Sequence, residues 1–293
     1  MGYKLLTAVL ALALLSGCGA ESATSAVTET VDPYAGMVQV ESGYGTKIWV
    51  NLYEELEVNP LRETVVAASE EIRDENGQEY EMRIGIDISE HQGEIDWAAL
   101  STEQPDFVLI RAAYRGYGES GKLCQDTCFE KNVQGALEYG IPVGLYFFSQ
   151  AISREEAVEE AEYLLELLKG YSPAEFKLPI FFDWENIGFE EARTDHVDGK
   201  TLTDCALAFC RRMEEAGYTA GIYAYRSLAY FSYDLPQIAD YPLWIGALGE
   251  CPDYYYAFDI WQYSTEGTLP GITGPVDMDA VFLPIEEEQP EAS

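Results

Sequence analysis

Two carboxylates stand two residues apart in Phe181-Phe182-Asp183-Trp184-Glu185, a run that otherwise reads as a buried strand. Side chains at i and i+2 of a strand point to one face, so Asp183 and Glu185 are expected side by side, about 6–7 Å apart along the strand. Burying two like charges is costly, and each raises the pKa of the other. A pair so placed suits general acid and base work, with hydrolysis of a glycosidic bond as the leading chemistry. The plainer alternative is a strand end that projects both groups into solvent or ion pairs, and the motif alone does not choose between them.

The elements that must position this pair follow from hydrophobic patterning. Short apolar runs at 84–88, 106–112, 141–148, 178–184, 219–225, 242–247, 258–263 and 276–282 read as strands. Between them, 128–139, 153–169 and 201–216 have helical periodicity. In the clearest, Ala157, Ala161, Leu164, Leu165 and Leu168 form one stripe against an acidic face. Eight strands with intervening helices predict an α/β fold, an irregular TIM-like (β/α) barrel with fewer than eight helices, because the later connections are short. An open doubly wound sheet is the competing architecture. In the barrel, Asp87, Tyr146 and Glu185 fall at the C-terminal ends of the first, third and fourth strands, and Tyr225 and Gln262 at the ends of later ones. Barrel enzymes build their sites at that face.

The chain has 293 residues, 47% of them hydrophobic, enough for one large core. Its net charge of −35 excludes a nucleic-acid partner and gives no attraction to anionic lipid or wall polymers. Lys4 and the apolar run Leu5–Leu15 read as a signal peptide too short for a spanning helix. The run ends in Leu15-Ser16-Gly17-Cys18, which resembles a bacterial lipobox. That resemblance implies cleavage after residue 17, lipidation of Cys18 and an extracytoplasmic protein held at the membrane; an ordinary cleaved signal peptide is the alternative. The expected organisation is a signal peptide over 1–17, a flexible acidic tether over 18–45, a small β-rich appendage over 46–82, a main domain over 83–285 and an acidic tail over 286–293. Within the appendage, Asp74-Glu75-Asn76-Gly77 reads as a hairpin turn. Cys124 and Cys128 bracket a short loop and could bridge, whereas Cys205 and Cys210, five apart on a helix, point away from each other. Two histidines and no CxxC offer no metal-site spacing, and no cofactor is expected.

A series of motifs then runs in order along the chain: Gly85-Ile86-Asp87-Ile88-Ser89, His91-Gln92-Gly93, Ile95-Asp96-Trp97, Phe107–Ala112, then Asp126, Phe129 and Asn132. It continues through Gly144–Phe148, Asp183-Trp184-Glu185, Gly221-Ile222-Tyr223, Trp261-Gln262-Tyr263 and Val276-Asp277-Met278-Asp279. The series resembles glycoside hydrolase family 25, the Chalaropsis-type lysozymes, over roughly residues 83–284. The resemblance implies cleavage of peptidoglycan glycan strands, with Glu185 as general acid. It implies that Asp183 stays ionised and either steadies the substrate's acetamido group as internal nucleophile or assists attack more directly. Asp87 and Asp277 match two further acidic positions that orient the pair and bind sugar hydroxyls. Tyr146, Tyr225, Trp261 and Gln262 are candidate substrate contacts, each aromatic being equally an ordinary core residue by type alone. Arg111 is either a carboxylate partner in the barrel mouth or a structural ion pair, and the first is preferred. His91 reads as a loop residue.

The chain departs from the family pattern in three places. Asp279, also a candidate substrate contact, stands where asparagine is common, Phe147 where many relatives have histidine, and Ile245–Leu248 lacks a tyrosine often found there. Two other readings are a hydrolase of N-acetylglucosaminyl or chitin-like linkages and a catalytically silent glycan-binding lipoprotein. The joint presence of Asp87, Asp183, Glu185 and Asp277 argues against the silent binder.

Overall fold

Period-two alternation, with both faces buried, shapes this chain into a closed barrel. A computed structural model describes residues 32–66, 71–188 and 191–286. The signal peptide, Cys18 and the acidic tail beyond Glu286 therefore lie outside the described residues. The elements in order are β1 (Met37–Glu41), β2 (Lys47–Asn51), β3 (Ile72–Arg73), β4 (Glu79–Ile88), α1 (Trp97–Leu100), β5 (Phe107–Arg115), β6 (Leu123–Gln125), α2 (Phe129–Glu138) and β7 (Val143–Ser149). They continue with α3 (Arg154–Leu167), β8 (Ile180–Trp184), α4 (Gly199–Glu215), β9 (Ala220–Tyr225), α5 (Arg226–Phe231), α6 (Leu235–Ile238), β10 (Leu243–Gly246), β11 (Ile260–Gly267) and β12 (Val276–Pro284).

Strands β4, β5, β7, β8, β9, β10 and β11 pair in parallel in that order. The last strand, β12, runs antiparallel to both β11 and β4 and closes the ring. The result is a closed barrel of eight strands with six α-helices among the described residues, the irregular TIM-like architecture and not the open sheet. A hairpin arm, β6, hangs antiparallel on the far end of β5. No helix among the described residues is long and apolar enough to cross a membrane.

Two apolar layers result. Inside the barrel, Phe107, Leu109, Tyr146, Phe181, Tyr223, Trp244 and Ile260 form one cluster. Their strand neighbours Val108, Ile110, Phe147, Phe182 and Ile222 point outward into the larger cluster beneath the helices. Helix α3 starts at a Ser153 cap that accepts from Glu156 N, and α4 at an Asp198 cap that accepts from Thr201 N. Both bury their apolar stripes, Ala157, Ala161 and Leu164 on α3 and Leu202, Ala206, Phe209 and Met213 on α4.

The expected divisions at 45/46 and 82/83 need correction. Met37-Val38-Gln39-Val40-Glu41 pairs with β2 in a two-stranded hairpin, so the segment read as tether contains a strand. Its two valines on one face are enough to bury it, although the surrounding composition is polar. The expected turn at Asp74–Gly77 joins β3 to β4, but β4 then runs unbroken from Glu79 into the barrel. Nor does this amino-terminal part stand apart, since Val40, Val50, Leu61 and Val66 belong to the main apolar cluster. Asn59 is its polar rivet: Nδ2 donates to the carbonyls of Pro252 (2.6 Å) and Tyr254 (2.9 Å), and Oδ1 accepts from Leu61 N (2.9 Å).

Replacing Asn59 by alanine orphans three buried backbone groups, each worth about 1–3 kcal/mol when unsatisfied. Calorimetry of Asn59→Ala should show one cooperative transition at a clearly lower Tm. A separate low-temperature transition, or an unchanged Tm, would mean that residues 37–66 are not integrated into the barrel.

Candidate active site

Inward-facing positions at the carboxyl ends of the strands carry the polar chemistry, and they open into a cavity of about 650 Å3. Asp87 is the penultimate residue of β4, Arg111 lies midway along β5, Asp183 is penultimate in β8 with Glu185 just beyond the strand end, and Asp277 is the second residue of β12. All five line the cavity, as do Tyr146, Tyr225 and Gln262. Strand alternation thus delivers Asp183 and Glu185 to one face, as their spacing predicts. Trp184 between them points outward and donates its indole N–H to Ala151 O (3.0 Å). Asp183 is 4% exposed, whereas Glu185 is partly exposed.

Two candidates are not in the cavity wall. Trp261 lies on the outer face of β11, donates to Ala247 O (2.7 Å) and stacks on Phe282 with ring centroids 6.0 Å apart. It is a core residue, and its neighbour Gln262 takes the inward position. Asp279 does point inward but one layer below the cavity, wholly buried, where Oδ1 accepts from Trp244 Nε1 (2.7 Å). It supports the floor and is out of reach of a substrate.

A relay of hydrogen bonds holds Asp87. The Tyr223 hydroxyl donates to Gln262 Oε1 (2.9 Å), and Gln262 Nε2 donates to Asp87 Oδ2 (2.8 Å). Tyr223 can cross to β11 because Gly246 lies in its path: a Cβ there would sit 2.5 Å from the phenol oxygen. Arg111 combines both roles weighed for it. Its Nε donates to Asp126 Oδ2 (2.8 Å) and its Nη2 to Glu90 Oε1 (3.2 Å), while its charge faces the cavity. Asp126 in turn accepts from the backbone N–H of Glu90 and Cys128, so one buried carboxylate ties the loop after β4 to the start of α2. Cys124 and Cys128 are free thiols here, Cys128 Sγ lying 3.5 Å from Gly93 O.

Several wall residues escaped the sequence reading. Tyr223 and Trp244 are two positions before Tyr225 and Gly246 on their strands, so period-two counting from the strand ends marks them. Trp244 meets Tyr146, Phe181 and Tyr223 edge-on at centroid distances of 5.6, 5.5 and 4.6 Å. Glu90, His91 and Tyr117 reach the cavity from loops, where no periodicity applies. His91 sits in the single 3-10 turn Glu90–Gln92 that follows β4, and it stands in the wall.

Burial raises every carboxyl of the group. Asp183 is pushed well above the ordinary carboxylate range, first by burial and then by the charge of Glu185, with Arg111 pulling it back. Glu185 is raised by burial and by Asp277, and Asp277 by burial. Asp87 is also pushed well up, by burial and then by Asp279 and Asp277, against the Gln262 hydrogen bond. Asp279 is pushed up to about 8, chiefly by burial. Burial thus favours the proton on Asp183 as well as on Glu185.

A barrel whose mouth gathers four carboxyls, a guanidinium and aromatic rings is a carbohydrate-hydrolase type of site. The comparisons agree. The model of glycosyl hydrolases family 25 matches residues 86–272, and the chain belongs to that family; it is a glycoside hydrolase. It is 27% identical over 222 residues to protein YegX of Escherichia coli, covering 70% of this chain and 71% of that one. It is 25% identical over 197 residues to the autolytic lysozyme of Clostridium acetobutylicum, covering 67% and 54%. Among solved structures, the modular autolysin LytC of Streptococcus pneumoniae superposes with a TM-score of 0.61 at 24% identity, over 85% of this chain and 57% of that one. A family 25 glycosyl hydrolase of Bacillus anthracis gives 0.52 at 22% identity, over 69% and 89%. The chain thus spans little more than half of the lysozyme and the autolysin, and those structural matches establish the shared barrel.

Because the folded chain holds the Asp279 proton more tightly than the unfolded chain, it carries more protons between pH 3.8 and about 8. Stability therefore falls as pH rises through that window. Asp279→Asn keeps the acceptor for Trp244 and removes the titration. Thermal melts from pH 5 to pH 8 (about that span) should show a shallower decline for the variant; equal slopes would mean that Asp279 carries no shifted proton.

Proposed function

We propose that this protein is a lysozyme that hydrolyses the β-1,4 bond between N-acetylmuramic acid and N-acetylglucosamine in peptidoglycan. The observation that carries the proposal is the delivery of Asp183 and Glu185 to one face of the cavity, with Asp87 and Asp277 in the same wall. The autolytic lysozyme of Clostridium acetobutylicum and lysozyme M1 of Streptomyces globisporus, both similar in sequence, support this substrate. So does the structure of LytC in complex with a synthetic peptidoglycan ligand.

Glu185 is the more accessible carboxyl of the pair, and its raised pKa keeps a proton available for the leaving oxygen. Asp183 Oδ1 is buried without a hydrogen-bond partner among the described residues. An orphaned carboxylate oxygen in a cavity wall suits a substrate N–H, and the acetamido group beside the scissile bond has one. Held there, the acetamido oxygen attacks the anomeric carbon as Glu185 protonates the departing sugar oxygen. Charge developing on the acetamido nitrogen draws the Asp183 proton equilibrium toward carboxylate. Water, deprotonated by Glu185, then opens the cyclic intermediate with overall retention. Asp87 and Asp277 hold sugar hydroxyls; Tyr146, Tyr225, Arg111 and Gln262 orient the rings.

We also propose that Cys18 carries a lipid and holds the enzyme at the outer face of the cell membrane, on the strength of Leu15-Ser16-Gly17-Cys18 alone. Removal of residues 1–17 takes away one basic side chain, leaving a net charge of −36. Cys18→Ala should move the protein from the membrane fraction to the soluble one; unchanged membrane partition would refute the anchor.

For the chemistry, Glu185→Gln should lower the rate of peptidoglycan cleavage by at least about a hundredfold while glycan binding persists. The wild-type rate should fall as pH rises through the raised Glu185 pKa, because the acid form is lost. Full activity in Glu185→Gln would remove this residue from the acid role, and inversion at the anomeric carbon would remove the acetamido group.

A further inference from the structure

The β1–β2 hairpin lies outside the residues matched by the family model, yet its tip packs against Arg226, the residue that follows Tyr225 of the cavity wall. At its base, Tyr256 donates its hydroxyl to Asn51 O (2.7 Å) and accepts from Tyr53 N (3.0 Å). Its tip rests on Arg226, where a Cβ at Gly43 would lie 3.2 Å from Nε. Arg226 is 2% exposed, is ion-paired to Asp253 at 2.7 Å and donates from Nη2 to Leu248 O (3.4 Å). Leu248 and Tyr225, the residue before Arg226, both line the cavity. The buried guanidinium therefore fixes the tip of the hairpin beside the cavity edge.

The tip is built to display one ring. Ser42 N donates to Thr46 O (2.8 Å), and the two hydroxyls meet at 2.9 Å, closing a tight loop. Gly43 and Gly45 take φ values of 83° and 73°, which a side chain at either position would strain. Between them Tyr44 is 81% exposed, the largest exposure among the exposed large apolar and aromatic residues of the described segments. A phenol ring displayed on so constrained a loop offers an apolar face that a sugar ring can cover and a hydroxyl that can hydrogen-bond it.

We infer that the Ser42–Thr46 loop forms an outer saccharide subsite, in which Tyr44 stacks on an N-acetylhexosamine of the same glycan strand beyond the sugars held in the cavity. The inference rests on the lysozyme reading for the identity of the strand. The occupant follows from continuity: a polymeric glycan that fills the cavity must leave it over the edge, and this loop packs on Arg226, whose guanidinium holds the carbonyl of the edge residue Leu248.

The test uses the full chain carrying Glu185→Gln and soluble peptidoglycan glycans, a disaccharide, a tetrasaccharide and an octasaccharide, with affinity read by calorimetry. Affinity should rise with length, and Tyr44→Ala should shrink that rise by roughly threefold to tenfold, the contribution of one aromatic contact. Tyr44→Trp should restore it, and the melting temperature should stay the same in all three. An identical length dependence with and without the Tyr44 ring, or no binding of any glycan, would overturn the subsite. Tyr44-dependent binding in a protein whose wild-type form cleaves no peptidoglycan would refute the lysozyme reading and leave the subsite standing.

Discussion

Five carboxyl groups crowded into one end of a closed barrel are the constraint around which the rest of the molecule is arranged. Asp87, Asp183, Glu185, Asp277 and Asp279 each lose water, and all but the shallowest feel a neighbour's charge. Like charges at such range in a low-dielectric site cannot all be ionised together. The protein answers with shared protons, with the Arg111 guanidinium and with neutral donors aimed at particular oxygens. Trp244 is central to that answer, since its indole N–H bonds Asp279 while its ring packs between Tyr146, Phe181 and Tyr223. The same burial that raises Asp279 raises Glu185, the carboxyl proposed as the acid.

Closure of the barrel makes this crowding precise in space. Because β12 returns antiparallel between β11 and β4, Asp277 is paired directly with Asp87 and Asp279 with Gly85. A glycine opposite Asp279 leaves room for the buried layer beneath the catalytic one. Asparagine is common at position 279 in the family resemblance, and a neutral, protonated Asp279 reproduces much of what an amide would do there. The departure at Phe147 is likewise mild, because that ring faces the helices and packs on Phe209, 6.1 Å between centroids.

Much of this was legible in the sequence. All eight barrel strands and the three long helices follow from apolar runs and helical stripes, and the i, i+2 spacing of Asp183 and Glu185 already implies a shared face. What was missed has definite causes. Trp261 and Gln262 are adjacent on a strand, so only one can face inward, and a motif match carries no such parity. Asp279 has the right parity but the wrong depth, which depends on the register of β12 against β4 and is set by long-range pairing. Strand β1 was hidden in acidic composition because two valines, Val38 and Val40, suffice when a large core lies beneath them. Loop residues such as Glu90 and His91 reach the site through turns whose path no periodicity encodes.

The identity of the glycosidic bond that is broken decides whether this protein is a lysozyme. Purified peptidoglycan digested by the protein, with the new ends reduced and identified by mass spectrometry, should yield reduced muramic acid ends. Reduced glucosamine ends, or intact strands after prolonged incubation, would contradict the lysozyme reading.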